Sequence, residues 1–311
     1  MSAHQGHGHD HHHHHAPSAD ADRRWLAVAL GLIVVFVVVE VVAGILASSL
    51  ALLSDAAHML TDAGAIALAL VAVGLAARPA GGRFTFGFGR AEILSAQING
   101  AALLVLAGVI AVEALRRLSS PPEVDAPFVI AVGLAGAAVN VGAAVALGRA
   151  ERRSLNIEGA RQHVLTDLYA SLAAAASGLV ILLFDWDRAD GAAALLVSAL
   201  MVHSGWGLLR DSGRVLLEAA PKGMDPPSIG RAMASEPGVV EVHDLHVWEV
   251  TSGFPALAAH VLVRPGDDCH SVRRRLQTML DERFGIDHVT LQVDHAPTSE
   301  RLLEIEHAPR R

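Results

Sequence analysis

From Trp25 onward, apolar residues run in stretches long enough to cross a bilayer, which takes about 20 residues of helix. Six such stretches, separated by short polar connections, cover 25–47, 50–77, 90–117, 126–149, 157–184 and 190–211. They predict six transmembrane helices, and an even number places both chain termini on one side. Past residue 212 the pattern changes. Pro226–Ala234 reads as a short helix opened by Pro-Pro-Ser, and Val239–Val250 and Ala256–Val263 read as strands from their β-branched content and alternation. Asp268–Phe284 has helical spacing (Val272, Leu276, Met279, Leu280), with Gly285 as its stop, and Val289–Val293 is a third strand. The order α-β-β-α-β predicts a small two-layer α+β domain with its helices on one face of the sheet.

Ahead of the first span lies a tail that no core can absorb. It holds His4, His7, His9 and His11 to His15, eight of the eighteen histidines. Such a run predicts disorder. It fits a metal-collecting arm that raises the local metal concentration, or part of an expression tag, and it lacks the layout of a signal peptide. The expected organisation is therefore a His-rich tail (1–21), a six-helix membrane domain (22–212), a soluble domain (213–297) and a C-terminal tail (298–311).

Composition narrows the function classes. Of 311 residues, 52% are hydrophobic and only 18% charged, so the chain is too apolar for an ordinary soluble protein. A net charge of −8 argues against nucleic acid as a partner, because a phosphate-binding surface needs clustered positive charge. The single cysteine, Cys269, excludes an intrachain disulfide and a thiolate-only metal cluster. The sole lysine, Lys222, lies in Pro-Lys-Gly-Met, so there is no Walker A lysine and no ATP-driven P-loop pump within the chain. Arginine sets the orientation. With the termini inside, eleven arginines flank the inner ends (Arg23, Arg24, Arg78, Arg83, Arg90, Arg149, Arg152, Arg153, Arg161, Arg210, Arg214). Only three flank the outer ends (Arg116, Arg117, Arg188). This positive-inside bias predicts cytoplasmic N- and C-termini in an integral protein of the cell (inner or plasma) membrane.

Ionisable residues inside the spans carry the chemistry, since a charge at mid-membrane costs about 2.5–3.5 kcal/mol on insertion scales and usually marks a pathway. The second span carries Asp55, His58 and Asp62, and the fifth carries His163 and Asp167. Each contains His-x-x-x-Asp, and residues i and i+4 share a helix face. Facing one another, the two helices would offer His58, Asp62, His163 and Asp167, two nitrogens and two oxygens. That donor set suits tetrahedral Zn²⁺ better than the all-oxygen octahedral cages of Mg²⁺ or Mn²⁺. A single such pair would read as helix–helix hydrogen bonding; two copies on separate spans read as a metal site. Asp55 shares the face of His58 and Asp62 and fits an approach ligand, a partner behind the ligands, or a proton relay. Gln97, Asn99 and Asn140 read as packing and hydrogen-bonding residues. Glu40 and Glu113 fit pairing or water-facing roles as well as transport.

These residues resemble the cation diffusion facilitator family of metal efflux transporters. The resemblance runs from about Trp25 to Asp294. It rests on Ser54-Asp55-x-x-His58-x-x-x-Asp62, on Arg83-Phe-Thr-Phe-Gly-Phe-Gly-x-x-Glu92, on His163-x-x-x-Asp167 and on Val242-His-Asp-Leu-His-Val-Trp248. It implies a homodimer with six spans per subunit, a cytoplasmic ferredoxin-like domain, and proton-coupled export of a divalent metal. It carries the transport site onto His58, Asp62, His163 and Asp167. Histidine at position 58 looks like the zinc-preferring branch, with Cd²⁺ and Co²⁺ as side substrates. The resemblance also points to metal on the soluble domain at His243, His260 and Asp294, although Gln292 stands where some relatives place a ligand histidine. His246, His270, His288 and His295 are reserve ligands. Metal held there would favour one packing of the two cytoplasmic domains and so bias the membrane halves.

Ligation needs neutral histidine and ionised aspartate, so metal and protons compete. An unperturbed imidazole titrates near about 6.5, close to cytoplasmic pH. The expected activity is a proton-coupled antiporter that exports Zn²⁺ by alternating access, with no ATP and no organic cofactor. A membrane metal sensor, an integral-membrane metalloenzyme and a passive channel are the rival readings. The enzyme would need an open metal position with a base, as in His-Glu-x-x-His, and the chain contains no such motif.

Overall fold

The computed structural model describes residues 19–46, 50–121, 125–150 and 154–297; the side chains of residues 19–22, 40, 43–46, 50–58, 61 and 62 lie outside that description. The His-rich run and residues 298–311 are also outside it. The chain divides into two compact units between Gly213 and Arg214.

Among the described residues the first unit contains six helices: α1 (Ala19–Leu46), α2 (Leu50–Ala76), α3 (Arg90–Ser119), α4 (Ala126–Leu147), α5 (Leu155–Phe184) and α6 (Arg188–Leu216), the last running into the second unit. Helices α3 to α6 are long and apolar enough to cross a membrane. Large apolar side chains such as Val35, Val105 and Leu183 point outward and are exposed. Continuous apolar exteriors of this kind are stable against lipid and not against water. The interior is built from small residues and a cluster of Leu26, Ile33, Ile66, Val73, Leu147 and Val164 joining α1, α2, α4 and α5. Asp125 caps α4 by accepting from the Phe128 amide at 3.3 Å, and Pro127 sits in the first turn, where its missing N–H costs nothing.

Two helix pairs approach through glycine. On α4, a Cβ at Gly133 would stand 2.8 Å from the Ser171 carbonyl and 2.9 Å from the Ala175 nitrogen of α5. Gly100 of α3 and Gly205 of α6 face each other's backbone in the same way, at 3.1 and 3.0 Å. Close backbone contact replaces the hydrophobic effect as the source of helix association in lipid. The α3–α6 pair is tied twice more: Ser198 donates to the Ala107 carbonyl at 2.9 Å, and Arg117 meets Asp190 at 2.7 Å.

The second unit has α7 (Pro226–Ala234), β1 (Val239–Thr251), β2 (Phe254–Val263), α8 (Cys269–Phe284) and β3 (His288–His295). Strand order is β1-β2-β3, with β1 antiparallel and β3 parallel to β2. The parallel pair requires a crossover, which α8 supplies. Alternate residues Leu257, Ala259, Val261 and Val263 of β2 pack against Ile229 and Met233 of α7 and Val272, Leu276 and Leu280 of α8. The unit is thus a two-layer, ferredoxin-like α+β domain with helices on one face, as the sequence predicts. Asp225 and Asp268 cap the two helices, accepting from the amides of Ser228 and His270. Gly285, at φ +66°, ends α8 in the left-handed conformation that glycine adopts without cost.

Candidate functional site

The start of α5 is set by Ser154, whose hydroxyl accepts from the Ile157 amide at 3.2 Å. Two turns on, His163 and Asp167 lie one above the other on a single face, as an i,i+4 pair must. Both are buried, at 3% and 8% exposure, and Nε2 of His163 lies 3.8 Å from Oδ2 of Asp167. An imidazole nitrogen and a carboxylate oxygen therefore converge inside a membrane-spanning helix.

Asn156 tells how α5 lies against α2. Fully buried, it donates from Nδ2 to the Ala69 carbonyl of α2 at 2.8 Å. Helices α2 and α5 run antiparallel, so equal steps from this bond in opposite directions along the sequence arrive at equal heights. His163 lies seven residues after Asn156, and Asp62 seven before Ala69; Asp167 lies eleven after, and His58 eleven before. Seven and eleven residues are each within about 20° of whole turns, so all four positions share the faces that carry the bond. The backbone register thus sets position 62 level with His163 and position 58 level with Asp167. The side chains of His58, Asp62 and Asp55 lie outside the described residues. Among the described residues no three His, Cys, Asp or Glu gather at metal-holding spacing.

On the soluble unit, the β1–β2 register sets His243 opposite His260, with ring centroids 5.4 Å apart, edge to face. Glu241 lies 3.3 Å from Nδ1 of His243. Asp294 pairs with Leu262, one row further along the outer face of the sheet, and accepts from Gln292 at 2.9 Å. The structure therefore brings two of the three expected residues together and holds the third apart. The bulge at Asp244, at φ +52°, brings His246 onto the same outer face as His243. A regular strand would put residues three apart on opposite faces. His246 engages Asp244 at 3.2 Å, His295 the Asp267 carbonyl at 2.9 Å, and His288 the ring of Phe254, so these reserve ligands are dispersed.

Comparison with known proteins gives the architecture its name. The model of the cation efflux transmembrane domain matches residues 26–217, and that of the cation efflux protein cytoplasmic domain matches residues 221–296. The chain belongs to the cation efflux family. It is 39% identical over 276 residues to the zinc transporter ZitB of Escherichia coli, covering 88% of each chain. It is 39% identical over 278 residues to the metal cation efflux system protein CzcD of Cupriavidus metallidurans, covering 88% of this chain and 87% of that protein. To the cadmium, cobalt and zinc/H⁺-K⁺ antiporter of Bacillus subtilis it is 37% identical over 264 residues, covering 83% and 85%. The solved metal-bound C-terminal domain of the CzcD transporter is 35% identical, covers 22% of this chain and 97% of that one, and gives a TM-score of 0.22. As a member of the cation efflux family the chain is an integral membrane transporter and not an enzyme.

Sequence reasoning did not single out Asn156. Its signal was present but weak: a carboxamide two residues after a capping serine looks like helix-start polarity, and nothing local discloses that it reaches another helix. The burial of Glu92 at 1% exposure was equally hidden, because a glutamate in the first turn of α3 reads as a charge favoured by the helix dipole.

Proposed function

We propose that this cation efflux protein exports Zn²⁺ from the cytoplasm in exchange for protons, using His58, Asp62, His163 and Asp167 as the transport site. The register set by the Asn156–Ala69 bond is the observation that supports this most: it brings the two His-x-x-x-Asp motifs to one height on facing helices. Two carboxylates neutralise the charge of Zn²⁺, and two imidazoles favour it over harder cations. Cd²⁺ and Co²⁺, named for the relatives, are side substrates of this donor set. Alternating access moves the site between the two sides, and Asp55, one turn before His58, hands the ion on. The arginine distribution supports cytoplasmic termini in the cell membrane. The membrane domain ends near residue 212 and the cytoplasmic domain spans 213–297, through which two copies form a homodimer.

Protons compete with the ion for both residue types, so the pH difference supplies the driving force without ATP. In proteoliposomes loaded at acidic pH and diluted into neutral medium, Zn²⁺ uptake is expected to exceed uptake at equal pH and to collapse when an ionophore dissipates the gradient. Zn²⁺ flux indifferent to the imposed gradient would remove proton coupling.

The His243–His260 pair, with Asp294 one row away, supports a second metal position on the cytoplasmic domain that tunes transport and does not carry the ion. The double variant His243→Ala/His260→Ala is expected to keep maximal flux while shifting the zinc concentration at which flux is half-maximal. An unchanged concentration dependence would dismiss that position.

A further inference from the structure

We infer that Asn99 and Asn140 are positioning residues of the ion site, holding its ligands from the two helices that flank α5. This rests on the assignment of His58, Asp62, His163 and Asp167 to the ion. The two asparagines lie in membrane-spanning helices at 1% and 2% exposure. Nδ2 of Asn99 and Oδ1 of Asn140 have no hydrogen-bond partner among the described residues. Several buried hydroxyls of α5 and α6 are satisfied by nearby carbonyls, whereas Ser95 Oγ of α3 and Asn156 Oδ1 of α5 also lack a partner among the described residues. Ser177 bonds to the Ala174 carbonyl, Ser198 to Ala107 and Ser212 to Leu208. An unsatisfied amide in hydrocarbon is costly, and such groups persist where a function uses them.

Helix contacts give both asparagines the height of the site. Ala96 of α3 touches the position a Cβ would take at Gly159 of α5, at 3.8 Å. Leu103 and Ala107, further along α3, cluster with Ala170 and Ala173, further along α5, so α3 and α5 run parallel. The residue about one turn past Ala96 is Asn99, and one turn past Gly159 is His163. On the other flank, a Cβ at Gly136 of α4 would stand 3.0 Å from the Ser171 hydroxyl, and one at Gly178 would stand 2.9 Å from the Ile130 side chain, an antiparallel pairing. One turn past Gly136 is Asn140, and one turn before Ser171 is Asp167. Two amides, each with one unpartnered atom, thus stand level with His163 and Asp167 of α5.

A carboxamide is suited to this place. It is uncharged, so it leaves the neutrality of Zn²⁺ with two carboxylates intact. Its oxygen accepts from the imidazole N–H that does not face the ion, which fixes the histidine tautomer. Its NH₂ donates to the carboxylate oxygen that does not coordinate. Asn99 is level with the imidazole and Asn140 with the carboxylate, and which amide end points where follows the bonding partner.

The test uses the full-length protein in proteoliposomes, with Zn²⁺ as the probe. Asn99→Leu and Asn140→Leu keep the branched outline, with a somewhat larger volume, and remove the hydrogen bonds. Each is expected to raise the KM for Zn²⁺ by about tenfold, the effect of losing one bond behind a metal ligand, with the melting temperature no lower than the parent's. Asn99→Ser and Asn140→Ser, which retain a hydroxyl, are expected to recover part of that loss, and they carry the comparison if a leucine variant does not fold. A lowered melting temperature with unchanged KM would make the asparagines structural and overturn the inference, as would wild-type KM in the serine and leucine variants alike. Asp167→Ala, measured alongside, separates the two assignments. If it is inactive while the asparagine variants transport normally, only this inference falls; if it transports normally, the site assignment itself falls.

Discussion

Replacing Asp167 with alanine is expected to lower Zn²⁺ transport by at least about a hundredfold while the protein still folds. The carboxylate is buried in α5 beside His163, where hydration cannot substitute for a missing ligand. At the proposed site, two aspartates would bring the ion and its ligands to zero net charge. One aspartate leaves a buried excess positive charge, and an uncompensated charge at this depth is far more costly than the loss of one bond. Asp167→Asn distinguishes charge from shape, because it keeps the side chain's outline and removes only the charge. It is expected to be as inactive as the alanine variant. Flux measurements on purified, reconstituted protein, with melting temperature as the folding control, decide the matter. Near wild-type flux in Asp167→Asn would mean that the carboxylate does not balance the ion.

The second large effect falls on stability. Gly133→Ala should lower the melting temperature sharply, since the added methyl would overlap the Ser171 carbonyl and the Ala175 nitrogen at 2.8 and 2.9 Å. Both are backbone atoms, so only a shift of α4 from α5 makes room, and overpacking of this kind costs about 1–3 kcal/mol or more. Because α5 carries His163 and Asp167, transport is expected to fall with stability. Gly108→Ala on α3 is the matched control, because nothing lies within 4 Å of its added methyl; there the better helix propensity of alanine is expected to leave stability unchanged or slightly raised. Thermal unfolding of both variants in detergent checks this, and equal melting temperatures would refute the account of the α4–α5 contact.

Much of the fold was readable because bilayer and sheet each impose a strong pattern. The predicted spans and the observed helices agree to within a few residues except at the end of α6, which continues to Leu216, and at the start of α1, where the helix begins at Ala19, ahead of the apolar run. Polar residues at a helix entrance carry no hydropathy signal, so only backbone hydrogen bonding shows that start. The strand pairing was readable less completely. Alternation indicated three strands, but the parallel β2–β3 register follows from the α8 crossover. That register sets Asp294 a row away from His260, while the antiparallel β1–β2 register sets His260 opposite His243. Periodicity along one strand says nothing about its offset against the next.

His-x-x-x-Asp repeated on two apolar spans needs no structure to be noticed, because lipid makes every ionisable residue conspicuous. The order α-β-β-α-β, the Pro-Pro-Ser opening of α7 and the stop at Gly285 are equally local, each settled by a few neighbouring residues. What belonged to the tertiary structure alone was relative height: Asn156 on Ala69, Gly133 on Ser171, Ala96 on Gly159. Those contacts align α2, α3, α4 and α5, and they set Asn99 and Asn140 level with His163 and Asp167. The physical reason is that a helix states its own period in sequence, whereas its sliding position against another helix is chosen by small-residue contacts and single buried hydrogen bonds between residues far apart in the chain.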